Sequence, residues 1–218
     1  MKLIPVKTPK IVKSLFPRYT WNVNTLQKEL YLTFDDGPTP EITEWVLSTL
    51  KAYKAKATFF CVGNNIKKHP ELFQKLIQDQ HTVGNHTFNH LKGWKTATAA
   101  YLEDVEETQQ LIEHYRNRSN PESTSASKLF RPPYGKFSAA QSNQLLQKDY
   151  TIVLWDVLAF DWDRKLTEER CFKNICTNAK EGSIVVLHDS QKASKNLRSV
   201  LPKVLEYYSN LGYQFKAL

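Results

Sequence analysis

Along the 218 residues, short runs of β-branched and aromatic side chains alternate with longer stretches in which apolar residues recur three and four positions apart. The first pattern is that of strands and the second that of amphipathic helices, so their alternation predicts βα units around a parallel sheet. Seven strands are expected, over residues 30–34, 57–62, 82–84, 128–130, 151–154, 183–187 and 213–216. Between them, Ile42, Val46, Thr49, Leu50 and Tyr53 mark one helical face, and Leu102, Val105, Thr108, Ile112 and Tyr115 mark another. The clearest stripe is Leu197, Val200, Leu201, Val204, Leu205 and Tyr208. Thr39 is placed to cap the first helix with Pro40 as its opening residue, and Pro70 suits the same position in the next. Segment 117–127, NRSNPESTSAS, is polar and nearly free of apolar residues and reads as a surface loop before the fourth strand.

Chemistry-bearing residues gather where these strands end. Strand one runs into Thr33-Phe34-Asp35-Asp36-Gly37-Pro38, placing two acids at a carboxyl end, where βα loops converge in parallel α/β folds. Asp-Asp-Gly is also a common turn sequence, so the acids alone decide nothing. After strand three comes His86-Thr87-Phe88-Asn89-His90, and four-residue spacing on a helical turn would bring both imidazoles to one side. With a carboxylate, for which Asp36 is the candidate, they would give three ligands and leave the open position a catalytic zinc needs. Strand four leads into Arg131-Pro132-Pro133-Tyr134-Gly135, a stiff turn that fixes an arginine. Strand five leads into a stretch containing Asp156, Asp161, Trp162 and Asp163, and strand six ends in Leu187-His188-Asp189. Only the second junction contributes no such residue to this pattern.

Composition narrows the class. Hydrophobic residues are 41% and charged residues 24%, ordinary for a globular chain, and 218 residues suffice for one barrel-sized domain. The net charge of +8 is partly local, since Lys2, Lys7, Lys10, Lys13 and Arg18 all precede the first acid, Glu29. A basic arm over 1–29 packing on a domain over 30–218 is therefore expected, with a solvated surface preferred to a nucleic-acid site. Cys61, Cys171 and Cys176 cannot all pair within the chain and suit buried apolar positions. No run of about 18 apolar residues exists to span a membrane, and Lys and Pro break the first stretch before a leader core can form. The expected location is the cytoplasm, with the cell envelope as the alternative should a leader precede these residues.

The segments TFDDGP, HTFNH, RPPYG, Asp161-Trp162 and LHD, in that order between Tyr31 and Ser190, resemble the five motifs of the polysaccharide deacetylase family. This family is also called the NodB homology family or carbohydrate esterase family 4. The resemblance implies a distorted (β/α)7 barrel, in agreement with the strand count. It implies one divalent metal ion, zinc foremost with cobalt or another divalent ion as alternatives, held by Asp36, His86 and His90. By the same comparison Asp35 is the general base, Arg131 holds it, and the Tyr134 N–H binds the oxyanion. His188 is then the general acid, oriented by Asp161, while Trp162 and Leu187 line the pocket for the acetyl methyl. The implied activity is removal of N-acetyl groups from N-acetylglucosamine-containing glycans, such as peptidoglycan or chitin-like oligosaccharides; separately, a monomer is expected. The alternatives are an O-acetyl ester, a formamide or a cyclic amide as substrate, or a non-catalytic carbohydrate binder. Trp94, just past the histidine pair, is a candidate for stacking on sugar.

Overall fold

A computed structural model describes residues 5–119 and 127–218. Eight strands form one sheet: β1 (Glu29–Asp35), β2 (Thr58–Cys61), β3 (Thr82–Asn85), β4 (Lys128–Phe130), β5 (Tyr150–Ile152), β6 (Val157–Leu158), β7 (Ile184–His188) and β8 (Gln214–Phe215). Their order is β5-β4-β3-β2-β1-β7-β6, with β8 added to the start of β1, and every named pairing is parallel. The sheet curls on itself. On the inner face, Tyr31, Phe60 and Ile184 of the adjacent strands β1, β2 and β7 meet Leu129 of β4 and Val153, just past β5, in a single cluster although β4 and β5 are distant in that order. Alternation along the strands sends the other face outward. Leu32, Phe34, Phe59, Cys61, Val185 and Leu187 pack there against the helices.

The helices are α1 (Lys10–Leu15), α2 (Ile42–Ala52), α3 (Gly63–Lys68), α4 (Pro70–Gln78), α5 (Thr98–Ser119), α6 (Ala139–Gln147), α7 (Glu168–Cys176) and α8 (Ser194–Asn210). Helix α4 opens on Pro70 as expected, where the missing N–H costs nothing. Helix α6 starts at a capping box, in which the Ser138 hydroxyl accepts from Gln141 N–H and the Gln141 amide oxygen accepts from Ser138 N–H. The apolar stripe of α8 is buried from Leu197 to Tyr208. Cys61 and Cys171 are buried and all three cysteines are free thiols, in keeping with their expected role as small apolar residues.

Three expectations are corrected. Helix α2 begins at Ile42 rather than Pro40, because Glu41 adopts a left-handed conformation (φ 64°) and the Thr39 side chain caps nothing. Helix α5 continues to Ser119, so Asn117–Ser119 is helical; residues 120–126 of the expected loop lie outside the described residues. A two-residue strand, β6, carries the stretch after Leu154, where alternation is too short to be read from sequence.

The sheet is left open between β5 and β6, and the N-terminal segment lines both edges. Thr20 N–H donates to Ile152 O and Leu154 N–H to Thr20 O, while Leu158 N–H donates to Val6 O, each at 2.8 Å. Exposed strand edges invite pairing with other chains, and here this segment occupies them.

Candidate active site

Asp35, Asp36, His86, His90 and His188 stand on the same rim, at the carboxyl ends of the strands. Asp35 is the last residue of β1 and lies in register with His188, the last residue of β7. Asp36 follows in a left-handed conformation (φ 78°), which turns its carboxylate away from the strand direction and toward the two histidines. Its Oδ1 is 3.2 Å from His90 Nε2 and 3.7 Å from His86 Nε2. One ligand atom from each of these three residues lies within 4.8 Å of the others. The pair is not on a helical turn, as the spacing suggested. Residues 86–90 form an irregular loop with Thr87 and His90 at positive φ, and this loop, not a 3.6-residue period, brings the rings within 5.1 Å.

The donor set suits a divalent cation. His86 Nδ1 is 2.7 Å from Arg131 O, and a carbonyl only accepts, so the proton is on Nδ1 and the Nε2 lone pair faces Asp36. Burial, the largest influence on this imidazole, pushes it down to about 4, so it is neutral at pH 7 as a ligand must be. Burial pushes the Asp36 carboxyl up, but the hydrogen bond from His90 and the fields of His188, His86 and His90 more than offset it. Asp36 is therefore held below the usual carboxylate range.

Asp35 is fixed from below. Arg131 has no exposed surface and lies in the barrel interior over the Phe60 ring, 4.1 Å from its centroid. It donates from Nη1 to Asp35 Oδ1 and to Thr33 Oγ1 at 2.7 Å each, from Nη2 to Leu154 O at 3.0 Å and from Nε to Val153 O at 3.2 Å. A buried guanidinium left without partners would be costly, and these contacts satisfy it while leaving the second Asp35 oxygen open to the site. The next residues form a turn in which Gly135 N–H bonds Pro132 O and Lys136 N–H bonds Pro133 O, leaving the Tyr134 N–H outside those bonds. Tyr134 itself is at φ 61°.

On the other side, His188 Nδ1 bonds Asp161 Oδ1 at 2.9 Å, and His188 N–H donates to Asp161 Oδ2 at 2.7 Å. Burial lowers the imidazole, but the field and hydrogen bond of Asp161, with Asp36 and Asp35 adding to them, raise it to about 9. The sequence offered three acids here and geometry separates them. Asp156 accepts from Lys13 Nζ and Ser183 Oγ at 2.6 Å each, and Asp163 Oδ1 accepts from Lys165 N–H at 3.0 Å. Trp162 stands edge-on to His188, centroids 4.6 Å apart, and walls the site. Leu187 does not. It is adjacent to His188 on a strand, so it faces the opposite way and is wholly buried in the helix-facing core; Val186 is the neighbour sharing the His188 face.

Supporting residues escaped the sequence. Asp104, on α5, accepts from Phe88 N–H at 2.7 Å, Asn89 N–H at 3.0 Å and Asn89 Nδ2 at 2.6 Å, so one buried carboxylate holds the backbone between the two histidines. Asn85 Oδ1 accepts from Thr87 N–H at 2.9 Å. Asn65, from the second junction, donates from Nδ2 to Asp36 O at 2.8 Å. Asp189 accepts from Gly37 N–H at 3.1 Å and Thr43 Oγ1 at 2.5 Å, pinning the turn after Asp36. An Asp directly after His188 was a visible signal for the last; Asp104 carries none, since it reads as one polar position of a helix.

Known proteins share this chain's sequence pattern and its fold. The sequence profile described as polysaccharide deacetylase matches residues 22–153. A peptidoglycan-N-acetylglucosamine deacetylase of Bacillus cereus is 32% identical over 198 residues, 90% of this chain and 89% of that protein. A chitooligosaccharide deacetylase of Azorhizobium caulinodans is 34% identical over 163 residues, 75% of this chain and 74% of that protein. Among solved structures, the Bc1960 peptidoglycan N-acetylglucosamine deacetylase superposes with a TM-score of 0.84 at 28% identity, covering 97% of this chain and 95% of that one. With profile, relatives and barrel in agreement, the chain belongs to the polysaccharide deacetylase family.

Proposed function

We propose that the chain is a metal-dependent hydrolase that removes N-acetyl groups from N-acetylglucosamine-containing glycans. The observation that carries this is the meeting, on one rim, of a three-ligand metal set with an arginine-held carboxylate and a carboxylate-held imidazole. The relatives named above as deacetylases of peptidoglycan and of chitooligosaccharides support it.

An amide is a poor electrophile, and its hydrolysis needs an activated water, a stabilised oxyanion and a proton for the departing nitrogen. Asp36, His86 and His90 would hold a divalent ion, zinc foremost, which when bound polarises the amide carbonyl and lowers the pKa of water from 15.7 toward about 7. Asp35, oriented by Arg131, accepts the proton of the attacking water through its open oxygen. The Tyr134 N–H faces the developing oxyanion, a contact of about 3 kcal/mol in comparable sites. His188 keeps Nδ1 on Asp161 and presents Nε2–H, and its raised pKa keeps that proton in place at pH 7. Transfer of this proton to nitrogen lets the C–N bond break, leaving a free amine on the sugar and acetate. Trp162 bounds the space beside His188 where the acetyl group sits.

Acetate release from N-acetylglucosamine oligomers, measured with zinc or cobalt supplied, tests the proposal. Turnover should appear with either metal and fall at least a hundredfold in Asp35→Asn. An absence of acetate from every oligomer, with metal bound at one equivalent, would overturn it.

A further inference from the structure

Two exposed rings stand on the rim beside the metal ligands. Tyr134 sets its ring against His90, centroids 4.8 Å apart, and Trp94 meets Tyr134 at 5.5 Å and 83°. They are 48% and 44% exposed, and Trp94 is the sole tryptophan of the five that is open to solvent to this degree. Aromatic side chains of this size are usually covered, so an exposed pair in contact with a site residue calls for an explanation.

The platform is built rather than incidental. Gln141, fully buried, donates from Nε2 to Gly93 O and to Thr96 O at 3.0 Å each, stapling the turn that carries Trp94 to the start of α6. At Gly93 a Cβ would come within 2.9 Å of Gln141 Oε1 and 3.0 Å of Lys136 O, so the glycine lets the two segments close to a distance that a side chain would push apart by a few tenths of an ångström. Trp94 and Tyr134 are thereby held in fixed relation before any ligand arrives, which lowers the entropic cost of binding.

Two cations bracket the rings. Lys92 Nζ lies 5.8 Å from the Tyr134 centroid and Lys136 Nζ 5.7 Å from that of Trp94. Neither ammonium has a carboxylate within 4.0 Å among the described residues. Scattered surface lysines need no partner, but here unneutralised charge sits on both sides of the aromatic pair that touches the metal set.

We propose that this rim is a subsite selecting anionic glycans: Trp94 and Tyr134 stack on a pyranose face, while Lys92 and Lys136 meet a carboxylate or phosphate borne by that sugar or the next. The inference rests on the hydrolase reading above and adds the charge class of the substrate. A neutral chain of N-acetylglucosamine would use the rings alone; a chain carrying acids would use rings and cations together.

Calorimetry with the Asp35→Asn chain, which holds substrate without turning it over, tests this with three oligosaccharides of equal length. One is neutral, one alternates N-acetylglucosamine with a carboxylated sugar, and one carries phosphate. The expected result is about fivefold tighter binding of an anionic oligomer than of the neutral one at low salt, the better of carboxylate and phosphate identifying the group recognised. In Lys92→Gln/Lys136→Gln the ratio should fall to near one, and Trp94→Ala should weaken all three. Equal binding of neutral and anionic oligomers, or an anionic preference that survives the double substitution, overturns the subsite. An anionic preference that disappears with the lysines, found alongside no acetate release by the unsubstituted chain, would instead sink the hydrolase reading and leave the subsite standing.

Discussion

His188 is acidic in the useful range because of Asp161. Its imidazole is raised from 6.5 to about 9, so the protonated form persists through neutral pH and is lost as pH rises through about 9. The pH profile of kcat should therefore hold on the alkaline side until that region, and Asp161→Asn should draw the alkaline limb down toward the ordinary imidazole range near about 6.5. An unmoved limb would assign the titration to another group. Asp104 acts one step further from the chemistry: Asp104→Asn would set an amide donor against Asn89 Nδ2 in place of an acceptor, loosening the histidine loop. Zinc release to a competing chelator should then show affinity about 10- to 100-fold weaker, while the thermal transition of the metal-free protein moves little. Of these residues, Asp35, Asp36, His86, His90 and His188 were legible through the ordered motifs TFDDGP, HTFNH and LHD rather than from the position of any one of them. Leu187 was misplaced because adjacency to His188 on a strand means the opposite face. Asn65 and Asp104 were missed because their partners, the Asp36 carbonyl and the Phe88–Asn89 segment, are brought to them only by the folded loops.

Periodicity carried the elements. Helix α8 was the most readable because its stripe is long, and its buried Leu201 should cost about 2 to 5 kcal/mol on conversion to Ala in a denaturant titration, with activity per folded molecule kept. A change under 1 kcal/mol would mean the stripe is less well packed than its burial indicates. Two-residue strands such as β6 lie below any period, and the left-handed Glu41 that delays α2 carries no compositional mark. The loop between His86 and His90 shows the same limit, for the four-residue spacing was right about proximity and wrong about the helix that was to produce it.

At the scale of the molecule, the barrel is an incomplete one whose open seam is lined by its own N-terminal segment. Asp156 anchors that segment, accepting from Lys13 Nζ at 2.6 Å with Lys7 Nζ 3.4 Å away, while Lys7 also reaches Asn178 O. Asp156→Ala should lower the midpoint of thermal unfolding and speed hydrogen exchange at Thr20 and Leu154, whose N–H groups bridge segment and sheet, with a stability loss of about 1 to 3 kcal/mol. Beneath the site, burial first, with Asp36 and Asp35 adding to it against the Thr43 hydrogen bond, raises Asp189 to about 7. The folded chain then retains a proton that the unfolded chain has lost, so this group's contribution to stability falls as pH climbs from about 4 to 7, by at most about 1.4 kcal/mol per pH unit. Asp189→Asn should flatten that slope in EDTA; an unchanged slope would contradict the assignment. The central claim is that residues 36, 86 and 90 together hold the one ion on which turnover depends. Its most direct measurement is acetate release during titration of the metal-stripped chain with zinc. Activity should rise from near zero and level off at one equivalent, and both the binding and the rise should vanish in His86→Ala/His90→Ala. Full turnover without metal, or an undiminished titration in that double variant, would contradict it.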